Sequence, residues 1–239
     1  MQVAVCDFFP YNSQEILSVK TGTEEQSGWI SNGFKAVVSW PEDVVMEKSV
    51  QEEELDRIRT KLSGYSAQGQ RDLMITPGSY GEGFLADKLN LNLEDLIRCG
   101  DYIGETIDMA RECGITSLLL TGALGTIAML GDGILNTHLR QEADGMETLA
   151  DCVLLAGGDA DLSRGILHCN TADDVVEILW VTAFLHPAVE QLMRRVDRVL
   201  KSRAGAQMKI EALAFSNRYG VLGKTPGAEM LLMLHRKWM

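Results

Sequence analysis

The sequence lacks most features that would mark an exported, membrane-bound or metal-dependent protein. Its five cysteines, Cys6, Cys99, Cys113, Cys152 and Cys169, are odd in number, and no two form a Cys-x-x-Cys pair. Nothing therefore suggests a disulfide framework or a thiolate zinc site. Buried free thiols in a reducing cytosol are the default, so the expected compartment is the cytoplasm. The four histidines show neither His-x-His nor His-x-x-x-His spacing, and no protein-bound metal is expected. No run of 18 apolar residues occurs, so no transmembrane helix is expected. The first residues, MQVAVCDFFPY, have no basic region followed by a long apolar core, so no signal peptide is expected. Cations are scarce too. With 22 Lys and Arg against 34 Asp and Glu the net charge is −12, which argues against nucleic acid and against an anionic membrane surface. The excess acid reads as a solubility device. No clear domain boundary, internal repeat or low-complexity tract is present.

What the chain does have is a stretch around which the rest is organised, LMITPGSYGEG at 73–83. Leu73-Met74-Ile75 reads as a strand, Pro77-Gly78 stops it, and a helical pattern begins at Phe84. A strand, a tight glycine turn and a helix form the ligand-binding corner of an α/β sheet, where glycines allow positive φ and close approach of a ligand to the backbone. The plainer reading is only a tight strand-to-helix turn.

Further along, short strands are expected at Val3-Ala4-Val5 and over 36–40, with a polar loop, TGTEEQSGWISNG, between them. Ser49 and Glu52 have capping-box spacing before a helix with Leu55, Ile58 and Leu62 on one face and Gly64 at its end. Leu96 to Cys99 is a strand or a helical turn. Asp101 to Cys113 reads as a helix with Ile103, Ile107 and Ala110 inward, stopped by Gly114. Leu118-Leu119-Leu120 is a second buried strand, ending in a second glycine turn over 121–125. Two strand-to-glycine-loop units joined by a helix imply parallel strands with both loops on one sheet edge.

Later helices are expected from about Arg140 to Gly157, with Met146, Leu149, Ala150 and Val153 inward, and after a Thr171/Asp174 cap, with Val175, Ile178, Leu179 and Val181. Pro187 allows a break. A strongly amphipathic helix follows, with Val189, Leu192, Met193, Val196, Val199 and Leu200 inward. Its Arg194, Arg195 and Lys201 read as a solvated face and as dipole partners. A late strand over 209–215 and a short apolar helix close the chain. The fold class is α/β: a three-layer, Rossmann-like domain with a mostly parallel sheet over 66–239. Residues 1–65 form an N-terminal appendage and leading helix, of which 1–48 are irregular or β-rich.

Four separated motifs carry a resemblance: TPGSYGEGF, CGDYIGETIDMARECGITSLLLTGALG, GILNTH and ILHCNTADDVVEIL. In this order they resemble the cobalt-precorrin-5B methyltransferase family, CbiD, whose members share a PGNYGE-like loop, a VGHIGK-like loop, an NTH element and an NTT element. The resemblance covers roughly residues 72–235. Family members are much longer and begin with a β-rich domain bearing a TTG-like signature, where this chain has Phe34-Lys35-Ala36. The resemblance implies methyl transfer from S-adenosylmethionine to ring carbon 1 of cobalt-precorrin-5B in anaerobic cobalamin biosynthesis. It places the donor on Gly78, Ser79, Tyr80, Gly81, Glu82, Thr121, Gly122 and Gly125. Substrate contacts fall on Asn136, Thr137, Asn170 and Thr171, and His138 is a candidate for a propionate contact or proton loss. Each has a plain alternative: Tyr80 as a loop-packing aromatic, His138 as a core or helix-end histidine, and Asn136, Asn170 and Thr171 as caps. Where the family's second loop has a His and two Lys, this chain has Ala123, Thr126 and Met129.

The implied partner is a corrinoid small molecule; the chain is either a truncated or degenerate relative or one half of a split methyltransferase, in which case a partner chain supplies the missing N-terminal domain. A homo-oligomer stays open. The competing reading is a non-catalytic ligand-binding or scaffold module of the same fold. A nicotinamide oxidoreductase is disfavoured, because Gly78-x-x-Gly81-x-Gly83 is the wrong order for Gly-x-Gly-x-x-Gly.

Overall fold

The computed structural model describes residues 27–29, 35–37, 49–137 and 142–237, the first two segments and 142–144 by their backbone alone. The chain divides into two compact units, Met1–Ser49 and Val50–Met239. In the first, β1 (Ser27–Trp29) and β2 (Lys35–Val37) form an antiparallel pair with Gly28 opposite Ala36. The strand β1 lies in the stretch expected to be a loop. Trp29 favours an extended backbone, and an antiparallel pair tolerates polar neighbours because one face can stay in water. The expected strand at Val3–Val5 lies outside the described residues.

The second unit is a five-stranded sheet with helices on both faces. Its strands are β3 (Asp72–Thr76), β4 (Leu96–Arg98), β5 (Ser117–Ala123), β6 (Lys209–Ser216) and β7 (Gly220–Lys224), in the spatial order β4-β3-β5-β6-β7. All neighbours are parallel except β6 and β7. The two expected strands are adjacent and parallel, with Met74 opposite Leu119. Continuous apolar runs form them because both faces are covered. Leu73, Ile75, Leu118 and Leu120 enter the larger core, while Met74 and Leu119 enter a smaller core on the other face.

The helices follow from the strand order. Chain direction across the sheet runs from β3 outward to β4, then back past β3 to β5 and on to β6. The first crossover carries α2 (Glu82–Asp87), which packs Leu85 into the smaller core together with α9 (Ala228–Leu234). The later crossovers carry α3 (Ile103–Glu112), α4 (Leu124–Gly131), α5 (Glu142–Leu155), α6 (Ala160–Leu167), α7 (Ala172–Val181) and α8 (Leu185–Ala204), whose buried residues enter the larger core. The leading helix α1 (Val50–Ala67) adds Ile58 and Leu62 to that core.

Several local expectations need correction. Gly64 does not end α1; the helix runs through it and stops before Gly69, whose φ of +81° only glycine adopts readily. A glycine inside a helix costs only about 1 kcal/mol, which a packed face offsets. Val181 is exposed, and Val176 takes the inward place beside Val175 and Leu179. Pro187 does not break a helix but sits in the first turn of α8, where its missing N–H has no intrahelical partner to lose. The second glycine turn is not a loop at all: Thr121, Gly122 and Ala123 stay in β5, paired with Leu213, Ala214 and Phe215, and α4 starts at once at Leu124. The helix expected from about Arg140 begins at Glu142 among the described residues.

His235, just past α9, is 6% exposed and its Nε2 finds no hydrogen-bond partner among the described residues. Burial lowers its pKa, and the charges of Asp95 and Asp72 only partly oppose that. A depressed folded-state pKa means that the unfolded chain takes up the proton first. Above about pH 6.5 both states are neutral and His235 is silent; below that, acidification favours unfolding. Urea midpoints should therefore fall between pH 7 and pH 5, and the fall should be smaller in His235→Gln.

Candidate functional site

The strand order reverses between β3 and β5, and there the carboxyl ends of the two strands leave a crevice of about 50 Å³. Its lining includes Thr76, Gly78, Tyr80, Gly122, Thr126 and Phe215. The glycine loop, the end of β5, the first turn of α4 and the end of β6 thus converge.

The loop is built from the inside. Thr76 Oγ1 donates to Gly78 O at 3.2 Å, and Cys99 N donates to Thr76 O at 2.9 Å, tying the end of β3 to the end of β4. Ser79 to Gly81 make one 3-10 turn that leads directly into α2. None of Gly78, Gly81 and Gly83 adopts positive φ. Gly78 is extended, with φ −150° and ψ −177°, a conformation open to any residue. Gly81 is glycine for another reason: a Cβ there would overlap Cζ of Phe215 and lie 2.6 and 2.9 Å from its Cε2 and Cε1. Phe215 stacks on Phe84 with centroids 5.1 Å apart, and the Tyr80 ring lies nearly parallel to that of Phe215 at 6.4 Å. Tyr80 is nonetheless 60% exposed, so its ring presents surface to solvent. Asn217 Nδ2, from the turn after β6, donates to Tyr80 O at 2.9 Å and pins the loop from the far side.

Glu82 is gripped by Arg98: Nη2 donates to Oε2 at 2.7 Å and Nε to Oε1. The guanidinium hydrogen bonds hold the Glu82 carboxyl below its ordinary pKa, against its partial burial. Cys99, directly behind the crevice, has its thiol pushed up to about 12 by burial, so it is no nucleophile at neutral pH.

The remaining sequence-derived candidates divide. Thr121 is fully buried and donates to Ile75 O, which makes it part of the sheet rather than of a ligand wall. Gly122 lines the crevice, yet the space beside its Cα is filled by Ile127, 3.1 Å from where a Cβ would be. Gly125 lies in α4, beside Ala172 at the start of α7. Thr171 is the N-cap of α7, in a capping box with Asp174. Asn170 is exposed beside it. Asn136 and Thr137 sit apart from the crevice and tie their loop to the start of α3: Asn136 Nδ2 donates to Glu105 at 2.8 Å and Thr137 Oγ1 to Asp101 at 2.6 Å. His138 lies outside the described residues. Sequence reasoning missed Phe215, Asn217 and Arg98, whose roles depend on partners 16 to 137 positions away. Among the described residues no group of three or more His, Cys, Asp or Glu could hold a metal ion, and no helix is long and apolar enough to cross a membrane.

Residues 136–226 match the family model described as CbiD, C-terminal domain. The chain carries a CbiD-like C-terminal portion. It is similar to the cobalt-precorrin-5B C(1)-methyltransferase of Ruminiclostridium cellulolyticum, 26% identical over 68% of this chain and 42% of that protein. It is also similar to the enzyme of the same name from Methanocaldococcus jannaschii, 31% identical over 57% of this chain and 38% of that protein. A third, from a Thermoanaerobacter species, is 26% identical over 75% of this chain and 49% of that protein. The chain thus spans about two fifths to one half of the length of these CbiD-like relatives. No solved structure matches it.

Proposed function

We propose that the α/β unit is the donor-binding half of a cobalt-precorrin-5B C(1)-methyltransferase, and that its sheet is a doubly wound, Rossmann-like one. The observation that carries this reading is the crevice at the reversal of strand order, which is where open α/β sheets take their ligands. The chemistry of this reading comes from the similarity to named cobalt-precorrin-5B C(1)-methyltransferases, which extends over 68% of this chain.

The donor is S-adenosylmethionine, which supplies an activated methyl group when bound. Sites that enclose a ligand of this size measure about 300–1,000 Å³. The crevice, at about 50 Å³, encloses only a fragment. The residues present fit one side of the donor. Gly78 is exposed, with nothing within 4 Å of a Cβ position, so its backbone can be approached. The exposed Tyr80 ring, backed by Phe215 and Phe84, is a stacking platform. Thr126 is among the lining residues and offers a hydroxyl, and Ser79 is exposed in the adjoining turn. Glu82 acts through Arg98, which it orients. An electron-rich ring carbon attacking an activated methyl group needs alignment more than acid–base help, so a site of backbone, ring and hydroxyls suffices for this half. The substrate is a cobalt corrinoid, and its cobalt arrives with it. A partner carrying the other part of the relatives' length closes the cleft, in the cytoplasm.

Titration with S-adenosylhomocysteine tests the placement. Saturable binding is expected, with none for NAD. Tyr80→Ala should weaken it roughly tenfold, the worth of one base–aromatic stack. Gly78→Val should weaken it at least as much, while circular dichroism stays unchanged. Affinity unchanged in both variants removes the crevice from the site. No binding by the wild-type chain selects the scaffold reading.

A further inference from the structure

A second concavity, of about 690 Å³, lies along α8 beside the turn that ends α4 and shares no lining residue with the crevice. Arg195, Arg198, Ser202 and Arg203 form one wall, and Asp132 and Gly133 belong to the other. The spacing of the four, i, i+3, i+7 and i+8, puts them on one face of the helix, next to the stripe of Leu192, Val196 and Leu200 that enters the core. The segment 194–203 holds five of the chain's 22 Lys and Arg and a single carboxylate, in a chain of net charge −12. Positive charge is therefore concentrated where the rest of the surface is acidic.

The ion pairs of these arginines are unequal. Arg203 is held by Asp108 in a two-point contact, Nε to Oδ1 at 3.1 Å and Nη2 to Oδ2. Arg195 reaches Asp151 only at 3.6 Å, well beyond the 2.7–2.9 Å of a charge-assisted hydrogen bond. Arg198 makes no ion pair among the described residues; its Nε lies 3.4 Å from Arg194 O. Three guanidiniums thus face a groove that contributes one lining carboxylate, and one of the three has its terminal donors uncommitted. A guanidinium offers a planar fork matched to carboxylate and phosphate oxygens. A solvated helix face does not need such a groove, nor three cations converging on it.

We propose that this groove is an anion site for a small ligand bearing two or more carboxylate or phosphate groups. Arg198 makes the principal contact, Arg195 and the Ser202 hydroxyl flank it, and Arg203, pinned by Asp108, fixes the far end. A single anionic group would engage one guanidinium, whereas the groove presents three along two turns of helix. The proposal is independent of how the crevice is used.

Calorimetric titration of the full chain at low ionic strength with pyrophosphate and, separately, with citrate tests it. One-site saturable binding of at least one probe is expected, and the stronger of the two identifies the phosphate or the carboxylate class. Arg198→Ala should weaken binding tenfold or more, Arg198→Lys should restore part of it, and Arg164→Ala, on the exposed face of α6, should leave it unchanged. Arg198 is exposed, so the variants should keep the wild-type circular dichroism. No saturable binding of either probe, equal binding by Arg198→Ala, or equal weakening by Arg164→Ala would overturn the proposal.

Discussion

Gly81→Val should destabilise the α/β unit by about 3 kcal/mol or more, at the upper end of what overpacking costs. The reason is the ring beneath it. Phe215 is 1% exposed and stacked on Phe84, so it cannot swing aside when a Cβ overlaps its Cζ. In a chain of this size that loss lowers Tm by roughly 6–12 °C. Phe215→Ala alone should cost about 3–5 kcal/mol through the cavity it leaves. The two changes should not add. With the ring gone, Gly81→Ala should cost little, so a double-mutant cycle on Gly81→Ala and Phe215→Ala should show a coupling well above the ~0.5 kcal/mol scatter of independent sites. Additive effects would mean that Gly81 is glycine for some reason other than Phe215.

That result bears on how the glycine loop is read. The sequence suggests glycines kept for ligand access, and Gly81→Val as a clean probe of affinity with the fold intact. The structure separates the two purposes. Gly81 gives its missing side chain to Phe215 and Gly122 gives its own to Ile127, whereas Gly78 alone of the three leaves open space. A motif written in one letter cannot distinguish a glycine that admits a ligand from one that admits the protein's own ring, because the ring sits 134 positions further along the chain. The probe of ligand approach is therefore Gly78.

The same distinction between local and distant causes explains what was legible elsewhere. The strands β3 and β5 and the helices α3, α7 and α8 are readable because apolar periodicity, caps and a positive-φ Gly114 all act within a few residues. The edge strand β7, GVLGK, was not: two glycines and a half-exposed pattern give no apolar signal, and its order comes from pairing with β6 and from Gly223 packed against Val189 and Met193. Helix α6 is only eight residues long with Gly165 inside it, too short for its amphipathic pattern to stand out, although Asp159 caps it. At the crevice, the loop itself was visible in the sequence, but its supports, Arg98 on Glu82 and Asn217 on Tyr80, were not. Polar side chains that pair across the fold leave no periodic trace.

Purified alone, the chain should turn over cobalt-precorrin-5B at least a hundredfold more slowly than a full-length relative. A corrinoid intermediate bears many carboxylates, so its site must present cations. The second loop of the family resemblance carries a His and two Lys where this chain has Ala123, Thr126 and Met129. The structure decides which of those differences matter. Ala123 and Thr126 line the crevice, whereas Met129 is 7% exposed in the core and faces no ligand. On the proposed reading, donor and corrinoid meet at the rim of this crevice, and two cationic contacts are missing there. At roughly 1.5–3 kcal/mol for each charge-assisted hydrogen bond, their loss amounts to about two decades of affinity or more. The nearby guanidiniums do not substitute for them, because Arg98 is committed to Glu82 and Arg218 contacts Glu177 and the Tyr219 ring. The net charge of −12 further disfavours a polyanion. Incubation with labelled S-adenosylmethionine and the corrinoid gives the measurement. Turnover that appears only when a chain with the relatives' N-terminal part is added selects the split enzyme. Turnover by the single chain at the rate of a full-length relative defeats the argument from Ala123 and Thr126.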